Sequence, residues 1–152
     1  MSPAPVNPAD CLFCRIIRGD VPSTRVYEDA DVLAFLDINP VAVGHTLIVP
    51  KMHCATLLDL PPELGEAVMR ACRGVGQALM DGLGAAGFNC MQNNFAASGQ
   101  MIFHVHWHII PRAAGDGLTH WPQTVYADEG AMRCIAETLR QNFAKADSIT
   151  AI

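Results

Sequence analysis

The sequence predicts an α+β domain built on an antiparallel sheet, and three observations carry that prediction. Two apolar runs rich in strand formers, "VLAFL" (32–36) and "TLIV" (46–49), follow one another closely enough to form a hairpin. One long segment, Glu63 to about Asp81, changes to a helical period. Strand-like and helix-like segments do not alternate in the regular order of a parallel βαβ sheet.

The elements follow in order. The first ten residues, with Pro3, Pro5 and Pro8, form a flexible arm. A short turn is expected around Cys11 to Ile17, then a break from Gly19 to Pro22. The strand Val32–Leu36 ends at Asp37 and Pro40; the strand Thr46–Val49 is entered at His45 and stopped by Pro50. In the central helix, Leu64, Val68, Ala71, Val75 and Leu79 form an apolar stripe opposite Glu63, Glu66, Arg70, Arg73 and Gln77. Pro61 and Pro62 precede this amphipathic helix, and Gly82 and Gly84 close it. "FNCMQNN" (88–94) is a third strand, "FAASGQ" (95–100) a loop of small residues, and Met101 to Ile110 a fourth strand stopped by Pro111. Asp128 to about Lys145 is a C-terminal helix, in an extension (123–152) expected to pack on the same domain.

Length and charge narrow the function. At 152 residues and 51% hydrophobic, the chain builds one core of useful size. Ten Lys and Arg against fifteen Asp and Glu give a net charge of −5, which argues against a nucleic-acid polymer as partner, because duplex binding needs many cation–phosphate contacts. An anionic ligand must then be held locally. No run is apolar enough to span a membrane and the opening lacks the features of a signal peptide, so a soluble cytoplasmic protein is expected. Reduced cysteines follow, with Cys54, Cys72, Cys90 and Cys134 as small buried hydrophobes. Cys11 and Cys14 stand apart as a CxxC, open between redox thiols, half a zinc site and chance.

Half of the six histidines lie in "IFHVHWHIIPR" (102–112), at every second position. On a strand, His104, His106 and His108 share one face while Val105, Trp107 and Ile109 share the other. The outer two backbones are then about 13 Å apart, so one metal ion cannot take all three. A neutral imidazole is a good nucleophile toward phosphorus near pH 7, and a neighbouring imidazole can hold or protonate what it attacks. The loop "AASGQM" complements this, because small residues let backbone N–H groups approach phosphate oxygens without a net positive charge.

These residues resemble the histidine-triad (HIT) family of nucleotide hydrolases and transferases. "HVHWHII" is similar to its signature, and "CLFCRIIRGDVPSTRVYED", "AFLDINPVAVGHTLIVPKMH" and "NNFAASGQ" extend the resemblance over residues 11–122, the expected domain. "HIIPR" followed by "GDGL" looks most like the bacterial, Hint-like members. The resemblance implies a HIT-like antiparallel sheet, a homodimer, and attack on the α-phosphorus of a purine nucleoside monophosphate derivative, such as an adenosine 5'-phosphoramidate, through a nucleotidyl-histidine. A dinucleoside polyphosphate hydrolase and a weakly catalytic nucleotide-binding regulator are the alternatives.

By the same resemblance His106 is the nucleophile, His108 contacts the phosphate, and His45 supports the pair. Asp37 meets the ribose hydroxyls, Ile38 packs on the base, and Asn93 reaches the phosphate or leaving group. Gly99, Gln100 and Met101 form the phosphate-cradling turn; Met101 departs from the Ser or Thr that Hint and Fhit members carry there. Many members bind structural zinc with two Cys and two His, which here match Cys11, Cys14, His53 and His104. No organic cofactor is implied. Trp121 resembles a tryptophan that lines a nucleotide site across the dimer, with packing an equal reading, and His120 is expected at the surface.

Overall fold

The computed structural model describes residues 7–119 and 121–147; the start of the expected arm and His120 lie outside them. The chain divides into two compact units, Met1–Asp116 and Gly117–Ile152.

The first unit holds a five-stranded sheet, antiparallel throughout, made of β1 (Arg25–Glu28), β2 (Val32–Leu36), β3 (Thr46–Pro50), β4 (Gly87–Gln92) and β5 (Trp107–Arg112), in the order β1-β2-β3-β5-β4. Both faces are covered. Val32, Ala34, Ile48, Val105, Trp107 and Ile109 pack on one side with Ala67, Val68, Ala71, Cys72, Val75 and Leu79 of the helix α2 (Gly65–Leu83). Leu33, Phe35, Leu47 and Val49 pack on the other with Cys11, Phe13, Cys14 and Ile16, contributed by the short helix α1 (Leu12–Arg18) and the residue before it. A sheet covered twice has no polar face, which is why β2 and β3 read as continuous apolar runs rather than alternating ones.

The central helix and the β2–β3 hairpin form as the sequence predicts. Four expectations are corrected. The turn at Cys11–Ile17 is the helix α1, closed by Gly19 in the left-handed conformation; at seven residues it is too short to display a helical period. The strand β1 was not expected, because "RVYE" lies at the sheet edge with every residue exposed and so carries no apolar alternation. The fourth strand begins at Trp107 rather than Met101, and it runs through Pro111 to Arg112. Pro111 is tolerated because β5 pairs with β3 only as far as Ile109, so its missing N–H removes no bond on that side. Cys54 and Cys72 are buried, but Cys90 and Cys134 are exposed, since a cysteine follows the placement of its element and the edge strand β4 leaves Cys90 uncovered.

The entrance to β3 depends on Gly44. Its φ of 101° suits glycine, and a Cβ there would come within 2.7 Å of a Leu83 methyl and 3.0 Å of a Leu79 methyl. The chain thus turns tightly over the end of α2 and delivers His45 into the interior, 2% exposed.

The second unit holds α3 (Glu129–Asp147), whose Met132, Ile135, Leu139 and Phe143 are exposed along one stripe, as is Trp121 before it.

Candidate active site and metal cluster

Val105 already lies in the core on the α2 side, together with Trp107 and Ile109. The alternation therefore survives although His104 and His106 precede the paired strand. Their rings lie on the α1 side, where Phe13 meets His104 and His106 edge-on at centroid distances of 5.9 and 5.0 Å. Nothing in the sequence singles out Phe13, whose position is set only when α1 folds across the sheet.

Each histidine has one ring nitrogen committed, and that fixes what the other can do. His104 Nε2–H donates to the Pro50 carbonyl at 2.9 Å, leaving a lone pair on Nδ1. That atom lies 3.5 Å from Cys11 Sγ, 3.5 Å from Cys14 Sγ and 3.3 Å from His53 Nδ1, while Cys14 Sγ to His53 Nδ1 is 3.3 Å. All four ligand atoms fall within 4.8 Å of one another. Bonds of about 2.0–2.1 Å to nitrogen and about 2.3 Å to sulfur give a tetrahedron with edges of roughly 3.3–3.8 Å. The donor set and its spacing therefore fit a four-coordinate metal ion. Burial, then the adjacent Cys11 thiol, pushes Cys14 up to about 11, so a cation at the cluster is what would let the Cys14 thiol ionise.

His106 Nδ1–H donates to the His104 carbonyl at 2.7 Å, and Nε2 keeps its lone pair. His45 accepts the Val41 N–H on Nδ1 at 3.2 Å, so its Nε2–H donates to His108 Nδ1 at 2.9 Å. His108 is thereby left with a protonated Nε2. The ring centroids of His106 and His108 are 4.9 Å apart. Burial lowers the pKa of all three: it is the main cause for His45 and His106, and it drives His108 to about 4 with help from His106 and His45. The Asp37 carboxylate lies 3.4 Å from His45 Nδ1, but the neutral ring takes its hydrogen bond from Val41 instead, so this is not an ion pair.

His106 and His108 line a cavity of about 400 Å³ whose other walls include Leu12, Phe13, Ile16, Val21, Asp37, Ile38 and Met101. The volume suits a nucleotide-sized ligand. Among the described residues, no Lys or Arg lines it. Asp37 stands at the end of β2, its Oδ1 accepting the Asn39 N–H at 2.9 Å. Ile38 and Met101 are both 88% exposed, which leaves them free to close on a ligand.

The turn after β4 is held from inside. Phe95 sits at φ 67° and ψ 160°, a conformation costly for a side chain by roughly 1–3 kcal/mol. Gln100 secures it: its Oε1 accepts the Phe95 N–H at 2.7 Å, and its Nε2 donates to the Ala55 carbonyl at 2.7 Å and to the Ile102 carbonyl at 3.2 Å. The Gln100 side chain is thus buried in the scaffold of the turn. The Asn93 amide nitrogen lies 3.7 Å from where a side chain at Gly99 would begin. Ser23, also on the cavity wall, carries the one buried side-chain N or O without a hydrogen-bond partner among the described residues. Neither this serine nor the Phe95 strain has a signal in the sequence.

This is the arrangement of a small α+β protein with a buried histidine cluster opening on an apolar cavity. A HIT-domain profile matches residues 18–115, and the chain belongs to the HIT family. It is 34% identical to the adenosine 5'-monophosphoramidase of Candida albicans over 92% of this chain and 95% of that protein. It is 46% identical to the adenylylsulfatase of Arabidopsis thaliana over 72% of this chain and 55% of that one. The crystal structure of a zinc-bound histidine triad family protein from Mycobacterium smegmatis superposes with a TM-score of 0.71 at 36% identity, covering 91% of this chain and 99% of that one.

Proposed function

We propose that this protein hydrolyses AMP derivatives with small leaving groups, of which adenosine 5'-phosphoramidate is the type, through a nucleotidyl-histidine on His106. The observation that carries the reading is the hydrogen bond from His106 Nδ1–H to the His104 carbonyl, which leaves Nε2 unprotonated beside the cavity. A buried imidazole held neutral is a competent nucleophile across the physiological pH range.

In the first half-reaction His106 Nε2 bonds to the α-phosphorus as the P–N bond breaks, and the nitrogen leaves as ammonia with a proton taken from solvent water. The ring then carries positive charge, which the His104 carbonyl at 2.7 Å stabilises through Nδ1–H. His108 Nε2–H donates to a phosphate oxygen, and His45 fixes the His108 tautomer. Water then attacks phosphorus as the P–Nε2 bond breaks; the electron pair returns to the His106 ring, the water's proton passes to solvent, and AMP is released. The base lies among Leu12, Phe13, Ile16 and Ile38, and Asp37 accepts from the ribose hydroxyls. Asn93, Gly99 and Met101 face the leaving group; Met101 brings no hydroxyl, which loosens discrimination among leaving groups. The names of the two enzymes above, one a phosphoramidase and one an adenylylsulfatase, support an AMP derivative as substrate.

The Cys11, Cys14, His53 and His104 cluster holds zinc in this reading, supported by the soft donor set and the zinc-bound relative. Closed by four protein ligands, zinc there supplies structural cross-linking. We also read the protein as cytoplasmic, in keeping with six free thiols, and as a homodimer, in keeping with the open edge of β4.

The test is AMP release from adenosine 5'-phosphoramidate, with diadenosine polyphosphate in parallel and intact-mass detection of the covalent adduct. Phosphoramidate turnover with an AMP-sized adduct in the wild type and neither in His106→Ala is the expected result. Equal turnover by both proteins would sink the nucleophile; faster cleavage of the polyphosphate would reassign the substrate.

A further inference from the structure

One polar group on the cavity wall plays no part in the proposed chemistry. The Ser23 hydroxyl is buried and, among the described residues, is the one such side-chain N or O with no hydrogen bond. Withholding a hydroxyl from water without a partner costs free energy, which a ligand that supplies the missing bond returns.

The strand register says what meets it. Arg25 of β1 lies opposite Phe35 of β2, and the Leu36 N–H donates to the Thr24 carbonyl at 2.9 Å. One step further along both chains sets Ser23 opposite Asp37, where facing side chains begin roughly 5 Å apart. They share a face as well. Leu33 and Phe35 pack on the α1 side, so alternation turns Asp37 the same way. Arg25 is on that side too, since its guanidinium donates to the Ile16 carbonyl of α1 at 3.3 Å, and Ser23 lies two residues before it. Ser23 and Asp37 accordingly line one cavity.

The order of strands separates the two ribose hydroxyls. His108, Leu47, Phe35 and Arg25 form a row from β5 across to β1. Each step is about 4.8 Å, so Ser23 lies one strand farther than Asp37 from His108. A nucleotide with its phosphate at His108 and its ribose at Asp37 reaches C3' before C2' along its bonds. The 2'-hydroxyl is therefore the ribose group on the Ser23 side. The donor count agrees. The Asp37 carboxylate only accepts, and its Oδ1 already takes the Asn39 N–H. A 2'-hydroxyl that donates to Asp37 keeps its lone pairs, and Ser23 is the donor beside them.

We propose that Ser23 reads the sugar: its hydroxyl donates to the ribose 2'-oxygen while that hydroxyl donates to Asp37, so the site selects ribonucleotides over 2'-deoxyribonucleotides. The proposal rests on the AMP reading above. The ribose is remote from the breaking P–N bond, so the contact is equal in substrate and transition state and acts on binding rather than on the chemical step.

The experiment measures binding of AMP and 2'-deoxy-AMP to the full-length protein and to Ser23→Ala by calorimetry, with turnover of adenosine 5'-phosphoramidate alongside. Ser23→Ala should weaken AMP about five- to tenfold, the worth of one neutral hydrogen bond, and 2'-deoxy-AMP by less than about twofold. Turnover should lose through KM, which rises by the same factor, rather than through kcat. Equal weakening of both nucleotides, as a base contact or a packing role would give, overturns the proposal, and so does unchanged AMP binding. A wild type that binds AMP but leaves the phosphoramidate uncleaved removes the hydrolase reading alone and leaves this comparison decisive. A wild type that binds neither nucleotide removes both.

Discussion

The two histidine clusters differ less in their residues than in what their hydrogen bonds leave free. At His104, the Pro50 carbonyl takes Nε2–H and turns the basic Nδ1 toward two thiols and another imidazole; at His106, two residues on, the His104 carbonyl takes Nδ1–H and leaves Nε2 beside an open cavity. Adjacent members of one alternating row thus receive opposite tautomers from main-chain carbonyls. The same carbonyl-bearing residue links the clusters, since the His104 side chain belongs to one and its main chain serves the other. Under the proposed function, metal binding and nucleophile orientation are therefore coupled through a single residue.

The largest effects should separate the clusters. His106→Ala should lower kcat for AMP release by at least about a thousandfold while zinc content stays the same. Cys14→Ser should instead lose zinc, read by elemental analysis. With free zinc near a thousand times Kd, that removes about 4 kcal/mol of stability, or roughly 10 °C in the thermal midpoint. Its turnover should fall by only about ten- to a hundredfold, through a loosened His104 carbonyl. If Cys14→Ser keeps full activity after losing its metal, the two clusters are independent and the coupling argument fails.

The pH dependence sharpens the contrast on the catalytic side. His108 is held at about 4, against an ordinary value of 6.5, mainly by burial. Its neutral form therefore persists through pH 6, and kcat/KM should stay level from about pH 8 to 6 before falling toward pH 4. For stability the sign follows from a folded pKa below the unfolded one. The unfolded chain binds the extra proton between those values, so the contribution is present above pH 6.5 and is lost as pH falls toward about 4. A drop in kcat/KM centred near pH 6.5 would mean that the site is open to water.

The smallest effect belongs to Ser23. Because its buried hydroxyl lacks a partner, Ser23→Ala should leave stability unchanged or raise it by up to about 1 kcal/mol in urea titration, where an ordinary buried hydroxyl would lose about that amount. A clear loss would show that the hydroxyl has a partner in solution.

Much of the site was legible in the chain. Alternation at 104–109 and the CxxC spacing each follow from local rules of period that hold wherever the segment is placed, whereas the positive φ that Gly44 supplies before His45 shows only in the structure. What local rules could not supply was the neighbour. β1 is exposed throughout, α1 is too short for a period, and Gln100 reads as part of a phosphate turn although its side chain is buried in holding Phe95. The exposure of Cys90 likewise depends on β4 lying at the edge of the sheet, a matter of strand order.

By itself, then, the sequence determined the α+β class, the hairpin, the amphipathic helix and which residue types could carry the chemistry, because hydrophobic period and side-chain functionality are properties of short segments. Only the tertiary structure decided which nitrogen of each histidine is free. For two of the histidines the group that settles the tautomer comes from a distant segment: the Pro50 carbonyl reaches His104 from 54 residues away, and the His45 ring reaches His108 across 63. A ring nitrogen becomes a ligand or a nucleophile when folding commits its partner to a hydrogen bond.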